Sequence, residues 1–528
     1  MLQLPDYTNT FLDTRGAVSG LSFSEVILEG IAPGGGLFVP SEIPHLEADA
    51  LAALTTLPYP QLAAWVYGLF GVDLPQAQVA ELMQRAYGDA FDDAAIAPLH
   101  TVAPKTHVLE LWHGPTSAFK DMALQCLPLF FSAAIERWRE ETDYLILVAT
   151  SGDTGKAALE GFADRPHVNI IVFYPDGGVS DIQRLQMVSQ RGANVGVFGL
   201  RGSFDDCQTA VKQVFANTAF NARLADQYGL KLSSANSINW GRLLPQIVYY
   251  FSAYLQLVST GEIAAGESID VCVPTGNFGN ILAAWYARAV GVPIERLLCA
   301  SNDNRVLADF INSGTYDISE RDFVLTPSPS MDILVSSNLE RQLFELCQRD
   351  ATRIRAWMND LREQRHFRVD RQTFAALREC FAADWVGADE SLQTIREVFE
   401  RYGYLLDPHS AVGWKVAERL RCANPVVVVS TAHWAKFAAD VYRALNGIAA
   451  GAALPKDIAA LGGLGITTHL AENYPQAGPV PSGLANLAHA PERFNEVVEG
   501  SADAVQRSIK EWLARGGCIA QGARPVTQ

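Results

Sequence analysis

The stretch DYLILVATSGDTGKAALEGFADRPHVNIIVFYP, residues 143–175, decides the fold. Its first part, DYLILVAT (143–150), is a continuous apolar run of strand length. SGDTG follows as a turn, KAALEGFA reads as a helix, and HVNIIVFYP (167–175) is a second apolar strand. A strand with no polar alternation is buried on both faces. Joined to its neighbour through a helix, it belongs to a parallel sheet covered on both sides. The same beat continues outward. VSDIQRLQMVSQRGA is a helix with Ser180 or Asp181 as cap, NVGVFGL (194–200) a strand, and FDDCQTAVKQVFANTAF a helix. NSINWGRLLPQIVYYFSAYLQLV (236–258) is a long apolar helix; SIDVCVP (268–274) and RLLCASN (296–302) are strands flanking the helix ILAAWYARAVG. PVVVVSTAHWAKFAADVYRAL (425–445) gives strand, turn and helix once more.

The remaining segments depart from this pattern. Residues 1–98 read as a small helical, loop-rich unit, with SFSEVILEGIA a helix that has Ser24 near its start and ends at Pro33-Gly34-Gly35-Gly36. Residues 338–400 are charge-rich and helical with no clear strand, and are expected to be a helical insertion. The expected organisation is therefore an N-terminal helical domain (1–98), an α/β core (99–337), the insertion (338–400), the return of the core (401–451) and a C-terminal helical segment (452–528).

Composition narrows the function classes. The chain has 528 residues, too many for one simple core, with 49% hydrophobic and 19% charged residues, as in an ordinary globular protein. A formal charge of −17 without a basic run argues against nucleic acid as a partner. No 18-residue apolar span predicts a membrane crossing, and no basic segment leads into an apolar run at the N-terminus as in a signal peptide. Eight scattered cysteines without a CxxC pair suit free thiols in a reducing compartment, and the cytoplasm is the expected location. HExxH is absent and the ten histidines show no metal-binding spacing, so no metal is expected.

Three turns rich in Gly, Ser or Thr follow strands and open helices: ATSGDTG (149–155), VPTGNFGN (273–280) and VSTAHWA (429–435). Ligands of open parallel sheets bind at such places, where helix N-termini present free N–H groups. TGNFGN, with two glycines three apart, can fold into a nest of N–H donors for a phosphate, although such turns often bind nothing. Gly155-Lys156 resembles the end of a P-loop, but that motif needs glycine at 150 and Ser or Thr at 157, where the chain has Thr150 and Ala157. GxGxxG after a strand is also absent. A fourth stretch, LELWHGPTSAFKDMALQ (109–125), runs from an apolar segment through a hydroxyl-rich turn into the helix FKDMALQCLPLFF. Lys120 lies at that helix start, where the dipole disfavours a cation and favours a nucleophilic amine. A lone lysine is ordinarily a solvated surface residue, but Phe119, Met122 and Ala123 around this one argue for a pocket. One such lysine, one phosphate nest and two hydroxyl-rich helix starts fit pyridoxal phosphate, a cofactor with an aldehyde and a phosphate.

HGPTSAFKD, ATSGDTG, NSINWGR, TGNFGN and STAHWAKF, together with TRG (14–16), SFSEVILEGIAPGGGLFVP (22–40) and PSMDILVSSNLER (329–341), resemble the threonine synthase family of fold-type-II pyridoxal-phosphate enzymes across most of the chain. The resemblance implies open, mostly parallel sheets covered by helices. It implies a lyase of threonine biosynthesis that turns O-phosphohomoserine and water into L-threonine and phosphate. Lys120 would be the lysine that joins the cofactor aldehyde and moves substrate protons. Gly276, Asn277, Phe278, Gly279 and Asn280 would hold the cofactor phosphate, and Thr431 would hydrogen-bond the pyridine nitrogen. Trp434 departs from the proline expected after the histidine of STAH. For the substrate carboxylate, the nominated turn is Ser151-Gly152-Asp153-Thr154, with the Asp153 side chain expected to cap the helix. For the substrate phosphate, the nominated residues are Lys156, Ser237, Asn239 and Arg242. The substrate is a small molecule, and the chain is expected to work as a monomer or homodimer. A phosphohomoserine phospho-lyase or a serine/threonine dehydratase, each giving a 2-oxo acid, is the alternative, because no motif dictates water addition.

Overall fold

A computed structural model describes residues 8–46, 48–138 and 142–517, which are built around two large sheets. Cys518 and the end of the expected C-terminal segment lie outside the described residues, as do the first residues of the N-terminal unit. A five-stranded, all-parallel sheet runs in the order Val497–Glu499, Val195–Arg201, Val168–Pro175, Asp143–Ala149, Leu230–Ser233. A six-stranded sheet runs in the order Phe381–Trp385, Ile294–Ser301, Ile269–Pro274, Val426–Ser430, Thr106–Glu110, Leu99–Ala103. It is parallel except for its last strand. The apolar runs at 143–150, 167–175, 194–200, 268–274 and 425–430 are all strands of these sheets, each within a few residues of its expected bounds. All eight residues of Val168–Pro175 and all six of Ile269–Pro274 are buried, as strands covered on both faces must be.

Several expectations are corrected. The segment 338–400 is not free of strands: Phe381–Trp385 is the edge strand of the six-stranded sheet, paired in parallel with Leu297–Ser301. FAADW lacks β-branched residues and holds an aspartate, so its propensity conceals it; the pairing is imposed by the sheet. His366–Arg368 pairs with Thr315–Asp317 in a second, two-stranded ladder. The N-terminal residues are helical but also carry a three-stranded antiparallel sheet of Phe11–Asp13, Ser19–Leu21 and Phe38–Pro40. Their apolar residues join one continuous core with the long helix Trp240–Ser259. The first N-terminal helix, Phe23–Glu29, is capped by Ser22 in a capping box, two residues before the expected serine. Of the two candidate caps for the helix Asp181–Val188, Ser180 is the one used, again in a capping box. Two expected helices are broken. Asn217 both ends Phe204–Ala216 and caps Thr218–Tyr228, and FKDMALQCLPLFF divides into Asp121–Leu124 and Leu127–Trp138. Pro128 lacks an N–H and is tolerated in the first turn of a new helix, not in the middle of one.

The C-terminal ends of Asp143–Ala149, Ile269–Pro274 and Val426–Ser430 carry the three turns singled out above, and all three converge on the Lys120 turn. Among the described residues, seven cysteines are free thiols, six of them buried and Cys422 exposed. No helix of the described residues is long and apolar enough to cross a membrane. None of their His, Cys, Asp and Glu side chains form a group of three or more placed to hold a metal.

Candidate active site

The turn before Lys120 is built by local hydrogen bonds and then fastened to a strand end. Asp121 accepts from the Thr116 N–H at 2.8 Å and the Thr116 hydroxyl at 2.7 Å, which curls residues 116–121 back on themselves. Burial pushes the Asp121 carboxyl up to about 6 against the pull of those two bonds. Ser117 takes a positive φ of 57° within the curl. Phe119 N–H donates to the Thr431 carbonyl at 2.8 Å, His433 N–H donates to the Ser117 carbonyl at 3.1 Å, and Ala118 bridges Ala432. The lysine turn and the STAHWAKF loop therefore form one rigid piece.

Within this piece the Lys120 amine is enclosed. Its Nζ lies 3.4 Å from Asp153 Oδ2 and 3.2 Å from the Ser330 hydroxyl, with the Phe119 ring centroid 4.7 Å away. Burial lowers its affinity for a proton; Asp153 and the Phe119 face work the other way, and Lys436 and Arg242 add to the lowering. The helix dipole is not what does this: the helix that Lys120 precedes, Asp121–Leu124, has only four residues. Asp153 does not cap its helix. The N-cap of Asp153–Phe162 is Gly152, at φ 130°, and the carboxylate turns inward between two lysines. Its Oδ1 accepts from Lys436 Nζ and Gln183 Nε2 at 2.8 and 2.9 Å. Burial would raise this carboxyl, but the two lysines and the Gln183 bond hold it well below the usual range. Gly152 is required here on two counts, its positive φ and a Cβ that would lie 2.4 Å from the Gln183 side chain.

The loop Gly276–Asn280 leads into the twelve-residue helix Gly279–Val290. Its carbonyls are turned outward: Gly276 O accepts from the Ser336 hydroxyl, and Asn277 O from the N–H and side chain of Asn338 at 3.1 and 3.0 Å. Phe278, at φ 61°, is the N-cap of that helix, which has no side-chain cap for its first N–H groups. At Gly276 a Cβ would stand 2.6 Å from the Ser330 carbonyl, which ties this loop to the serine beside Lys120. Asn280 Oδ1 accepts from the hydroxyls of Tyr249 and Tyr250. Asn280 Nδ2 and Arg242 Nε are buried with no partner among the described residues. A helix start with an unpartnered Asn280 Nδ2 and an unpartnered Arg242 Nε suits a phosphate-bearing group.

The nominated substrate residues divide. Ser151, Gly152 and Thr154 open a helix at this centre, Thr150 Oγ1 taking the N–H groups of Gly152 and Gly155 at 3.0 and 2.8 Å. Arg242 is fully enclosed, donates to the Ala235 carbonyl at 2.6 Å, and is lowered by burial to about 10. The Ser237 hydroxyl lies 3.5 Å from that of Ser337, which donates to Asn277 Oδ1. Lys156, in contrast, is committed to Glu160 at 2.8 Å and to Gln190. Asn239 is spent as the N-cap of Trp240–Ser259, with its amide on Ile27 O at 2.8 Å. Thr431 is buried at the end of Val426–Ser430, its N–H 3.3 Å from the Ser410 hydroxyl.

Sequence reasoning missed three contributors. Ser330 sits in a short 3-10 turn, Pro329–Met331, and its N–H donates to His409 Nε2 at 3.1 Å. His409 must then carry its proton on Nδ1, 2.8 Å from Asp407 Oδ1. The Asp-Pro-His sequence announces a helix start, but nothing in it points toward Ser330. Lys436, with no side-chain exposure, is the third; a signal was available in its apolar neighbours Ala435, Phe437 and Ala438. Trp434 is buried and donates to the Ala477 carbonyl at 3.2 Å, so the loop that lacks a proline is anchored instead to the C-terminal segment.

Comparison with known proteins gives matches over most of the chain. A family model described as "Threonine synthase N terminus" matches residues 10–87, one for "Pyridoxal-phosphate dependent enzyme" matches 103–432, and one for "Threonine synthase, C-terminal" matches 410–509. The chain is 44% identical to a threonine synthase-like 1 protein of Macaca fascicularis over 83% of its own length, but it spans only 61% of that relative. It is 39% identical to a threonine synthase of Pseudomonas aeruginosa, over 85% of this chain and 93% of that one. The structure of a threonine synthase from Brucella melitensis with pyridoxal phosphate bound superposes with a TM-score of 0.83 at 36% identity. That match covers 96% of this chain and 99% of the other.

Proposed function

The chain belongs to the threonine synthase family of pyridoxal-phosphate-dependent enzymes, and from that premise we propose that it converts O-phosphohomoserine and water to L-threonine and phosphate. The observation that carries the reading is the Lys120 amine, enclosed 3.4 Å from Asp153 and 3.2 Å from Ser330, whose carbonyl packs against Gly276 of the Gly276–Asn280 loop. Pyridoxal phosphate, when bound, supplies an aldehyde for an amine and a ring that takes up negative charge from the substrate carbons. Gly276, Asn277, Phe278, Gly279 and Asn280 would hold its phosphate, Thr431 its ring nitrogen, and Lys120 its aldehyde.

The protein's own groups do the rest. With its amine free, Lys120 would act as the base for protons on the substrate's α- and β-carbons, and Asp153 would stabilise the ammonium it becomes. The free N–H groups of Ser151, Asp153 and Thr154 receive the substrate carboxylate, that of Gly152 being held by Thr150 Oγ1. Arg242, with Ser237, holds the substrate phosphate through its departure. Lys156 and Asn239 take no part, since their polar atoms are already engaged. Lys120 takes the α-proton and then a β-proton. After phosphate leaves the γ-carbon, that carbon is protonated to the methyl group, the hydroxyl of water adds at the β-carbon, and the α-carbon is reprotonated. Both protons are thus returned, and the proton left by water goes to the phosphate. The substrate is a small molecule, and a monomer or homodimer carrying this site complete within each chain suffices. Six buried free thiols support a reducing compartment, the cytoplasm.

The test is to supply pyridoxal phosphate, reduce with borohydride and map the fixed label, which should fall on Lys120. The chain should then release phosphate and threonine in equal amounts from O-phosphohomoserine. A label elsewhere sinks the assignment, and release of 2-oxobutyrate in place of threonine replaces synthase with phospho-lyase. Lys120→Ala should abolish both the label and turnover, with a loss of at least about 10³-fold.

A further inference from the structure

The motif PSMDILVSSNLER ends in Arg341, which is completely buried and spends its hydrogen bonds on neutral oxygens. Its Nε donates to the Phe38 carbonyl at 2.8 Å, its Nη1 to Asn338 Oδ1 and its Nη2 to the Ile238 carbonyl, the last two at 2.5 Å. The acidic groups that face it are engaged elsewhere. Glu340 accepts from the Thr14 hydroxyl at 2.6 Å and from Arg15 at 2.9 and 2.7 Å, and the Tyr286 hydroxyl donates to Glu345. The Trp240 ring centroid lies 5.9 Å from the guanidinium carbon. Burial lowers the group to about 10, so it stays charged at neutral pH. A guanidinium held this way is not an ion-pair partner. It is a planar fork that reaches three oxygens in three directions, which an ammonium cannot do.

Those oxygens belong to three separate parts of the chain. Ile238 follows Ser237 in the segment 235–239, and Arg242 grips the same segment through the Ala235 carbonyl at 2.6 Å. Asn338 turns its other side to the loop 276–280: its Nδ2 and N–H both donate to the Asn277 carbonyl, at 3.0 and 3.1 Å. A Cβ at Gly279 would stand 3.4 Å from that Nδ2, so the amide also packs on the helix start. Asn277 Oδ1 takes the Ser337 hydroxyl at 3.2 Å, and the Ser337 hydroxyl lies 3.5 Å from that of Ser237. The contacts therefore close a circuit that runs from Arg341 through Asn338, Asn277, Ser337 and Ser237 to Ile238 and back. The N-terminal unit joins it at the Phe38 carbonyl and, one residue before Arg341, through Thr14 and Arg15 on Glu340. We propose that Arg341 is a positioning residue that sets the spacing between the substrate-phosphate segment 235–239 and the cofactor-phosphate loop 276–280. This deepens the threonine synthase reading and rests on it for which phosphate each segment holds.

The readout is the preference for a phosphate, which a general loosening of the core would not change. In the full chain stripped of cofactor, binding of pyridoxal phosphate and of pyridoxal is titrated by absorbance. Arg341→Lys keeps the charge and loses the fork. It should lower the ratio of the two affinities at least about tenfold, with pyridoxal itself bound within about twofold of the unsubstituted chain. In the holoenzyme its KM for O-phosphohomoserine should rise about tenfold or more, and competitive inhibition by inorganic phosphate should weaken in parallel. Asn338→Ala opens the same circuit, so it should give the same signature, and the double substitution should add little to either single one. An unchanged affinity ratio in Arg341→Lys overturns the proposal and makes the arginine a core residue. An unchanged KM, or full additivity with Asn338→Ala, overturns it as well. Should Arg341→Lys fail to fold, the ratio in Asn338→Ala decides. That ratio is measured without turnover, so a chain that binds the cofactor but makes no threonine refutes the synthase reading and still tests Arg341.

Discussion

Single residues at this centre are chosen for what they remove as much as for what they add. Glu110 shows the point one turn away from the lysine loop. Burial alone would raise its carboxyl, yet hydrogen bonds from His100, His113 and Tyr404 hold it down at about 2, and His113, held also by Asp92, is raised despite its own burial. The two shifts set a pH window. A depressed carboxyl contributes stability above its unfolded value near 4.5, lost as pH falls through about 2. A raised histidine contributes below its unfolded value near 6.5, lost as pH rises through its folded value. Their joint contribution is full between these limits, at about pH 5–6. Glu110→Gln should therefore lower stability most there, by about 2–3 kcal/mol, and less at pH 8.5, in the direction in which the raised His113 loses its proton. Thermal melts of both proteins at pH 5.5 and 8.5 check this; an equal difference at the two values would dissociate Glu110 from His113. The residue readings differ in how far the sequence can carry them. Lys120 is legible because a hydroxyl turn precedes it and apolar residues surround it. Asp153 reads as a cap, since Asp in a first turn ordinarily caps, and only the position of Lys436, 283 residues on, turns it inward.

At the scale of elements, the helix Pro408–Arg419 places a side chain that the lysine never touches. Asp407 caps it, accepting from the N–H groups of His409 and Ser410 at 2.9 and 3.3 Å, and the same carboxylate fixes His409. His409 in turn holds the turn Pro329–Met331, and so the Ser330 hydroxyl and the neighbour of Gly276, in register with Lys120. His409→Phe keeps the ring volume and removes the acceptor. It should lower kcat about 10- to 100-fold through misplacement, while borohydride still fixes cofactor to Lys120. Asp407→Ala should add the loss of a helix cap, about 1 kcal/mol in a denaturant melt, to the same kinetic defect. Undiminished kcat in His409→Phe would make the histidine a core residue only. Sequence patterns find the long apolar strands because burial on both faces writes itself into composition. They miss Leu230–Ser233, Phe381–Trp385 and Val497–Glu499, three edge strands of three to five residues, because pairing with an existing sheet needs little from the added sequence.

The whole molecule is closed by such late additions, and they couple the ends of the chain to the site. Val497–Glu499 pairs with Gly199–Arg201 at one edge of the five-stranded sheet, and the helix Ala502–Ala514 then lays Val505, Ile509, Trp512 and Leu513 on the sheet's apolar face. Trp512 Nε1 donates to the Val195 carbonyl at 3.3 Å, and a Cβ at Gly196 would stand 2.8 Å from the same ring nitrogen. This sheet also contains Asp143–Ala149, whose end carries Asp153 to Lys120, so the C-terminal helix supports the active site from behind. Each of the four large side chains is worth about 1.5–3 kcal/mol on burial, roughly 6–12 kcal/mol together, comparable to the 5–15 kcal/mol that holds a whole domain folded. A chain ending at residue 494 should accordingly lose the cooperative unfolding of the five-stranded sheet, expose an unpaired edge at Val195–Arg201 and aggregate. Trp512→Ala, which keeps the edge strand, should lower stability by about 3–5 kcal/mol yet leave the Lys120 label intact below its melting temperature. Calorimetry and borohydride labelling on the two variants separate the roles. If the truncated chain still melts cooperatively and still labels at Lys120, the C-terminal helix is an ornament on a sheet that stands without it.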